Sequence, residues 1–97
     1  MGQGDQLMKL VLYKMEGCGP CGLVQKKVDS VLSKNPEYAP FIDIVMVYEG
    51  EETLKDKNLQ GFPVLVTVNE DGDEVNRLIG GVNILNGLRT ALESLSV

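Results

Sequence analysis

Apolar residues in this chain come in short runs, and the spacing within the runs alternates between that of strands and that of helices. Lys9-Leu10-Val11-Leu12-Tyr13 is apolar at its centre and bounded by a glycine-rich segment, the pattern of a short buried strand. Pro20 follows where a helix would start, since proline is favoured at the first helical position. From there Cys21, Val24, Val28, Val31 and Leu32 recur three and four residues apart and form one stripe. Gln25, Lys26, Asp29 and Ser33 take the other faces. Asn35-Pro36 ends the helix, because a residue before proline is pushed out of helical backbone.

Ile42 to Val47 reads as a second strand. Glu51 to Lys57 reads as a short helix, with Glu51 and Glu52 at its positive end and Lys55 and Lys57 towards its negative end. Gly61-Phe62-Pro63 breaks the chain before a third strand, Val64 to Val68. Glu70-Asp71-Gly72-Asp73 is a tight turn, and Glu74 to Ile79 returns as the other arm of a hairpin. Asn83 is suited to cap a last helix, with Ile84, Leu85, Leu88, Ala91, Leu92 and Leu95 on its buried face. The order β-α-β-α-β-β-α predicts an α/β fold: a four-stranded mixed sheet, begun by a right-handed βαβ crossover, with helices on both faces.

At 97 residues the chain has room for one core and one domain. A net charge of −5 disfavours nucleic acid and anionic membrane surfaces, which both require basic patches. No apolar run is long enough to span a bilayer. The first residues lack the basic and apolar segments of a secretory signal, and Gln6 spoils a myristoylation motif. Residues 1–7 therefore read as a flexible leader and 8–97 as the domain, with the cytoplasm as the expected compartment. There structural disulfides are rare, so a close cysteine pair points to catalysis or to metal binding.

The only two cysteines lie in Cys18-Gly19-Pro20-Cys21, between the first strand and the first helix. Cys18 is then placed at a helix N-terminus, where unpaired backbone N–H groups and the positive dipole end favour a thiolate. Cys21, on the apolar stripe, is expected to be the less exposed. That arrangement predicts that Cys18 attacks a substrate disulfide and that Cys21 resolves the mixed disulfide. A structural zinc site wants four ligands, and the chain offers two cysteines and no histidine. Zinc would need carboxylates or a second subunit, and an iron–sulfur cluster would need two chains. An inert surface pair is the remaining alternative. No cofactor and no metal are expected.

Cys18-Gly19-Pro20-Cys21 matches the active-site motif of the thioredoxins, and the chain from Lys9 to about Leu95 resembles their core. Two further matches are independent of the motif. Pro63, preceded by Phe62, stands where that family carries an active-site proline with a cis peptide bond. Gly80-Gly81 before the last helix resembles the family's third active-site loop. The resemblance implies a thioredoxin-like fold and a dithiol–disulfide oxidoreductase that reduces protein disulfides. Gly19, Pro20, Phe62, Pro63, Gly80 and Gly81 would then form the substrate-binding surface. A cis bond at Phe62–Pro63 is the cheap case of a cis peptide, and it frees the Phe62 backbone to pair with an extended substrate. Glycines at 80 and 81 would let that substrate's backbone approach closely. A flavin-dependent thioredoxin reductase is the implied electron donor, and a monomer is expected.

The departures are specific. Gly17 replaces the tryptophan that usually precedes the motif, and the chain has no tryptophan. Leu12 stands where the family has a buried aspartate that moves a proton during resolution, and Ile44 stands near the place of its lysine partner. Asp43 is a candidate replacement proton acceptor, although a solvent-facing carboxylate is the plainer reading. The family's extra N-terminal strand and helix have no counterpart in the 17 residues before Cys18. In this the chain is similar to the glutaredoxins, and Lys14 is a possible thiolate-stabilising residue like the lysine near their motif, though one position further upstream. A glutathione-dependent activity is thus the alternative, with a metal-binding or redox-sensing module on the same scaffold as another. Glutaredoxins usually carry Pro-Tyr between the cysteines and an acidic residue after the double glycine. Gly19-Pro20 and Val82-Asn83 favour the thioredoxin type instead.

Overall fold

The computed structural model describes residues 8–95, so the leader expected at 1–7 lies outside the described residues. Strand β1 (Lys9–Met15) is followed by helix α1 (Gly19–Lys34), a 3₁₀ turn over Pro36–Phe41, strand β2 (Ile42–Val47), helix α2 (Glu52–Asp56), strands β3 (Val64–Val68) and β4 (Glu74–Ile79), and helix α3 (Gly81–Glu93). The sheet order is β2-β1-β3-β4. β1 and β2 run parallel, in register from Leu10–Ile42 to Met15–Val47. β3 is antiparallel to both β1 and β4. The expected four-stranded mixed sheet is therefore the observed one.

Strand parity sorts the core into two layers. Leu10, Leu12 and Leu65 point to one face and pack with Val24 and Val28 of α1 and with Ile84, Leu88, Ala91 and Leu92 of α3. Tyr13, Val47, Val64 and Val66 point to the other, where Leu59 and the half-buried Leu54 and Phe62 cover them. That second cover is thin, because α2 has five residues and no buried side chain of its own. Arg77 compensates. Its guanidinium donates to the carbonyls of Asn58 (2.8 Å) and Lys57 (2.7 Å), just past the end of α2, and pairs with the Glu74 carboxylate at 2.7 Å. Asn58 itself has φ of +51°, a left-handed turn that asparagine tolerates and that stops the helix.

Five details differ from the sequence reading. β1 runs two residues further, to Met15, and the 3₁₀ turn was not foreseen. Glu51 caps α2 rather than joining it. α3 begins at Gly81 with Gly80 as its cap, so Asn83 lies inside the helix, where its side-chain N–H donates back to the Ile79 carbonyl at 2.7 Å. Leu85 sits on the margin of the α3 stripe and is exposed, while Ile84, Leu88, Ala91, Leu92 and Leu95 are buried as expected.

The Arg77 clamp has a measurable consequence. The Arg77 hydrogen bond holds the Glu74 carboxyl below its ordinary value, so its contribution to stability is present above that ordinary value and is lost as pH falls through the lower native one. Arg77→Ala should lower stability by about 1–2 kcal/mol in denaturant unfolding at neutral pH and should flatten this acid-limb dependence. Unchanged stability and an unchanged acid limb would show that the clamp holds nothing.

Candidate active site

β1 delivers the chain to the site. After Met15 a turn through Glu16 and Gly17 (φ +80°) brings the Cys18 N–H back to the Met15 carbonyl at 3.2 Å. Gly17 therefore has a backbone reason to be glycine: the positive φ is one that a side chain makes costly. Cys18 is the N-cap of α1, extended at φ −86° and ψ 109°, and Pro20 occupies the first turn. The cap is the sulfur itself: Cys18 Sγ accepts the Cys21 N–H at 3.2 Å. One of the helix's orphan donors is thus directed at the sulfur that must carry negative charge. Cys18 and Cys21 form a disulfide with their Cα atoms 5.4 Å apart. Cys18 is half-buried, whereas Cys21 is 2% exposed, so access to the pair is through Cys18.

The topology gathers the other expected residues at the same end of the sheet. β1 and β2 leave the sheet there, β3 enters there at Val64, opposite Tyr13, and β4 ends there at Ile79, opposite Val64. The Phe62–Pro63 peptide bond is cis, as expected, and Pro63 is buried. The Gly80 N–H donates to the Pro63 carbonyl at 2.8 Å, fastening the third loop to the second. Gly81 packs against the first: a Cβ added there would lie 3.1 Å from Pro20 Cβ. The smallness of Gly81 thus serves contact within the site, while Gly80, at φ +90°, faces open space. Neither link was legible in the sequence, which shows that glycines are present but not what they touch.

Lys14 does not point its charge at a sulfur; its ammonium donates to Gln25 Oε1, one helical turn beyond Cys21. Asp43 lies towards the opposite end of β2, exposed and paired with Lys9 at 3.2 Å, which is the solvent-facing alternative. Leu12 is fully buried beneath α1, and Thr67 is the one buried polar side chain among the described residues apart from Tyr13 and Cys21. Three carboxylates, Glu16, Glu49 and Glu51, stand in the loops at the site end. The segments 16–18, 48–51, 60–63 and 79–82 contain no basic residue. Among the described residues no three histidine, cysteine, aspartate or glutamate side chains gather as metal ligands would.

No protein-family model and no curated protein sequence matches this chain. Solved structures do. The chain is similar to Fasciola hepatica thioredoxin, with 24% identity, a TM-score of 0.69 and coverage of 93% of this chain and 82% of that one. Chlamydomonas reinhardtii thioredoxin f2 superposes with a TM-score of 0.70 at 15% identity, over 95% of this chain and 82% of that one. Trypanosoma brucei brucei thioredoxin gives 0.66 at 16%, over 91% and 74%. The fold is the thioredoxin fold.

Two glycines near the site separate conformational from steric demand. Gly61 has φ of +72°, and a Cβ there would come within 2.7 Å of Ile79 Cγ2, so Gly61→Ala should destabilise by about 1–3 kcal/mol. Gly22 lies in α1 next to Cys21 with nothing near its Cβ position, so Gly22→Ala should stabilise by about 0.5–1 kcal/mol. Thermal melts of the two variants should move in opposite directions; a shared direction would contradict the loop geometry.

Proposed function

We propose that this protein is a thiol–disulfide oxidoreductase that reduces disulfides in other proteins through a reversible Cys18–Cys21 disulfide. The observation that carries the reading is the unequal pair at the start of α1: a half-exposed Cys18 whose sulfur caps the helix, and a buried Cys21 within bonding reach. In the reduced protein the Cys18 thiolate attacks one sulfur of the substrate disulfide. A Cys18–substrate bond forms, the substrate S–S bond breaks, and the departing sulfur takes a proton. Cys21, as thiolate, then attacks the Cys18 sulfur; the Cys18–substrate bond breaks, the second substrate sulfur departs as a thiolate and takes a proton, and Cys18–Cys21 is left oxidised. Two electrons and two protons have passed to the substrate.

The helix end, not a neighbouring cation, stabilises the Cys18 thiolate in this reading, and Lys14 fastens α1 through Gln25. With Leu12 in the core, the Cys21 proton leaves without a buried carboxylate to receive it. Gly19, Pro20, Phe62, Pro63 and Gly80 form the surface that receives the substrate, and Gly81 keeps the third loop close to Pro20. Electrons are supplied by a flavin-dependent thioredoxin reductase, and the cytoplasm is the fitting compartment. No helix among the described residues is long and apolar enough to cross a membrane.

The acidic site end argues against a glutathione-dependent activity, since glutathione brings carboxylates of its own. Insulin reduction by dithiothreitol should be accelerated by the wild type and not by Cys18→Ser; equal rates would overturn the proposal. Among small disulfides, cationic cystamine should react faster than oxidised glutathione at low ionic strength, with the gap closing in salt. Preference for oxidised glutathione would favour the glutathione reading instead.

A further inference from the structure

The two edges of the sheet are not alike. β4 carries the Glu74–Arg77 ion pair, and its ladder with β3 is interrupted at Thr67/Val68. Charges and irregularities of that kind keep an edge strand from pairing with another chain. β2, at the other edge, has neither proline nor lysine, and its register with β1 is unbroken. Its single charge, Asp43, is neutralised by Lys9 at 3.2 Å. Ile44, Val45 and Met46, at 38%, 37% and 39% exposure, leave apolar surface on both sides of the strand, and Tyr48 extends it.

We propose that β2 is the contact strand of a symmetric dimer, in which two copies of this chain pair through β2, antiparallel, to form one continuous sheet. Charge selects the direction of the pairing, and the strand's complementarity to itself selects the occupant. At the entry of β2 the charges of Lys9, Lys34, Glu37 and Asp43 cancel, whereas at its exit Glu16, Glu49, Glu51 and Glu52 outnumber Lys14, which lies level with Met46. A parallel pairing would set acid against acid. The antiparallel pairing sets each acidic end beside the neutral end of the other copy.

The strand is also complementary to itself. Centred on Val45, the pairing places Val45 across from Val45, Ile44 across from Met46 and Ile42 across from Tyr48 of the second copy, each pair on one face of the sheet. Asp43 falls opposite Val47 and keeps its Lys9. Lys9, one strand further in and level with Phe41, comes level with Glu49 of the second copy. The two dithiols end up at opposite ends of the joined sheet, each open to substrate. A dimer thus replaces the single chain expected from the sequence, independently of the activity proposed above.

Sedimentation equilibrium of the full-length protein, from micromolar to millimolar concentration, tests this together with amide hydrogen exchange. The mass should rise from one chain to two, and the β2 amides that point away from β1 should slow in exchange over the same range. Val45→Lys sets two ammonium groups together at the axis and should keep the mass at one chain, with hydroxyethyl disulfide reduction at the wild-type rate. Met46→Glu serves the same comparison should the lysine variant not fold. A wild type that stays single at every concentration overturns the proposal, as does a dimer whose β2 amides are unchanged. A single chain with slowed β2 amides also overturns it, because another segment of the same chain would then cover the edge.

Discussion

The start of α1 at Cys18 is the constraint on which the rest of the site depends. A helix must begin with unpaired N–H groups, and here one of them, on Cys21, is met by the Cys18 sulfur. The same capping geometry brings the two Cα atoms to 5.4 Å, within the range a disulfide requires. Capping, thiolate stabilisation and disulfide closure are therefore one arrangement. β1 makes it possible by ending next to a glycine that can turn at positive φ.

Around that point the fold uses its parallel and antiparallel strands to bring three loops to one end of the sheet. Pro63 opens β3, Gly80 closes β4, and a single backbone hydrogen bond joins them. Gly81 closes the gap to Pro20. The opposite face of the sheet is held by a lighter device, in which Arg77 grips the carbonyls past α2 where a longer helix would otherwise supply buried side chains. Burial also raises the Tyr13 hydroxyl's pKa beneath this cover, so that residue stays neutral and apolar in behaviour.

Much of this was readable from residue types. Strand and helix periods located the strands and the helices α1 and α3, because the buried stripes Cys21-Val24-Val28 and Ile84-Leu88-Leu92 repeat cleanly, while α2, which has no buried side chain, was legible from the charges at its ends. The cysteine pair and the cis bond at Pro63 were readable from motif and spacing. What was not readable depends on contacts between distant segments. Asn83 has a good capping side chain, yet Gly80 and the turn it makes set the helix start. Lys14 is the right residue type near the motif, yet its ammonium donates to Gln25. Arg77 gave no sign in sequence, since its partners are backbone carbonyls nineteen and twenty residues away.

The central claim is the unequal division of labour between the cysteines, and mixed-disulfide trapping measures it directly. Each single serine variant would be incubated with a disulfide-bearing protein substrate and the covalent adduct quantified by intact mass spectrometry. Cys21→Ser retains the attacking sulfur and lacks the resolving one, so it should accumulate a substrate adduct on Cys18. Cys18→Ser, left with only the buried sulfur, should accumulate little. A larger adduct on Cys18→Ser would reverse the roles, and no adduct on either variant would contradict the account.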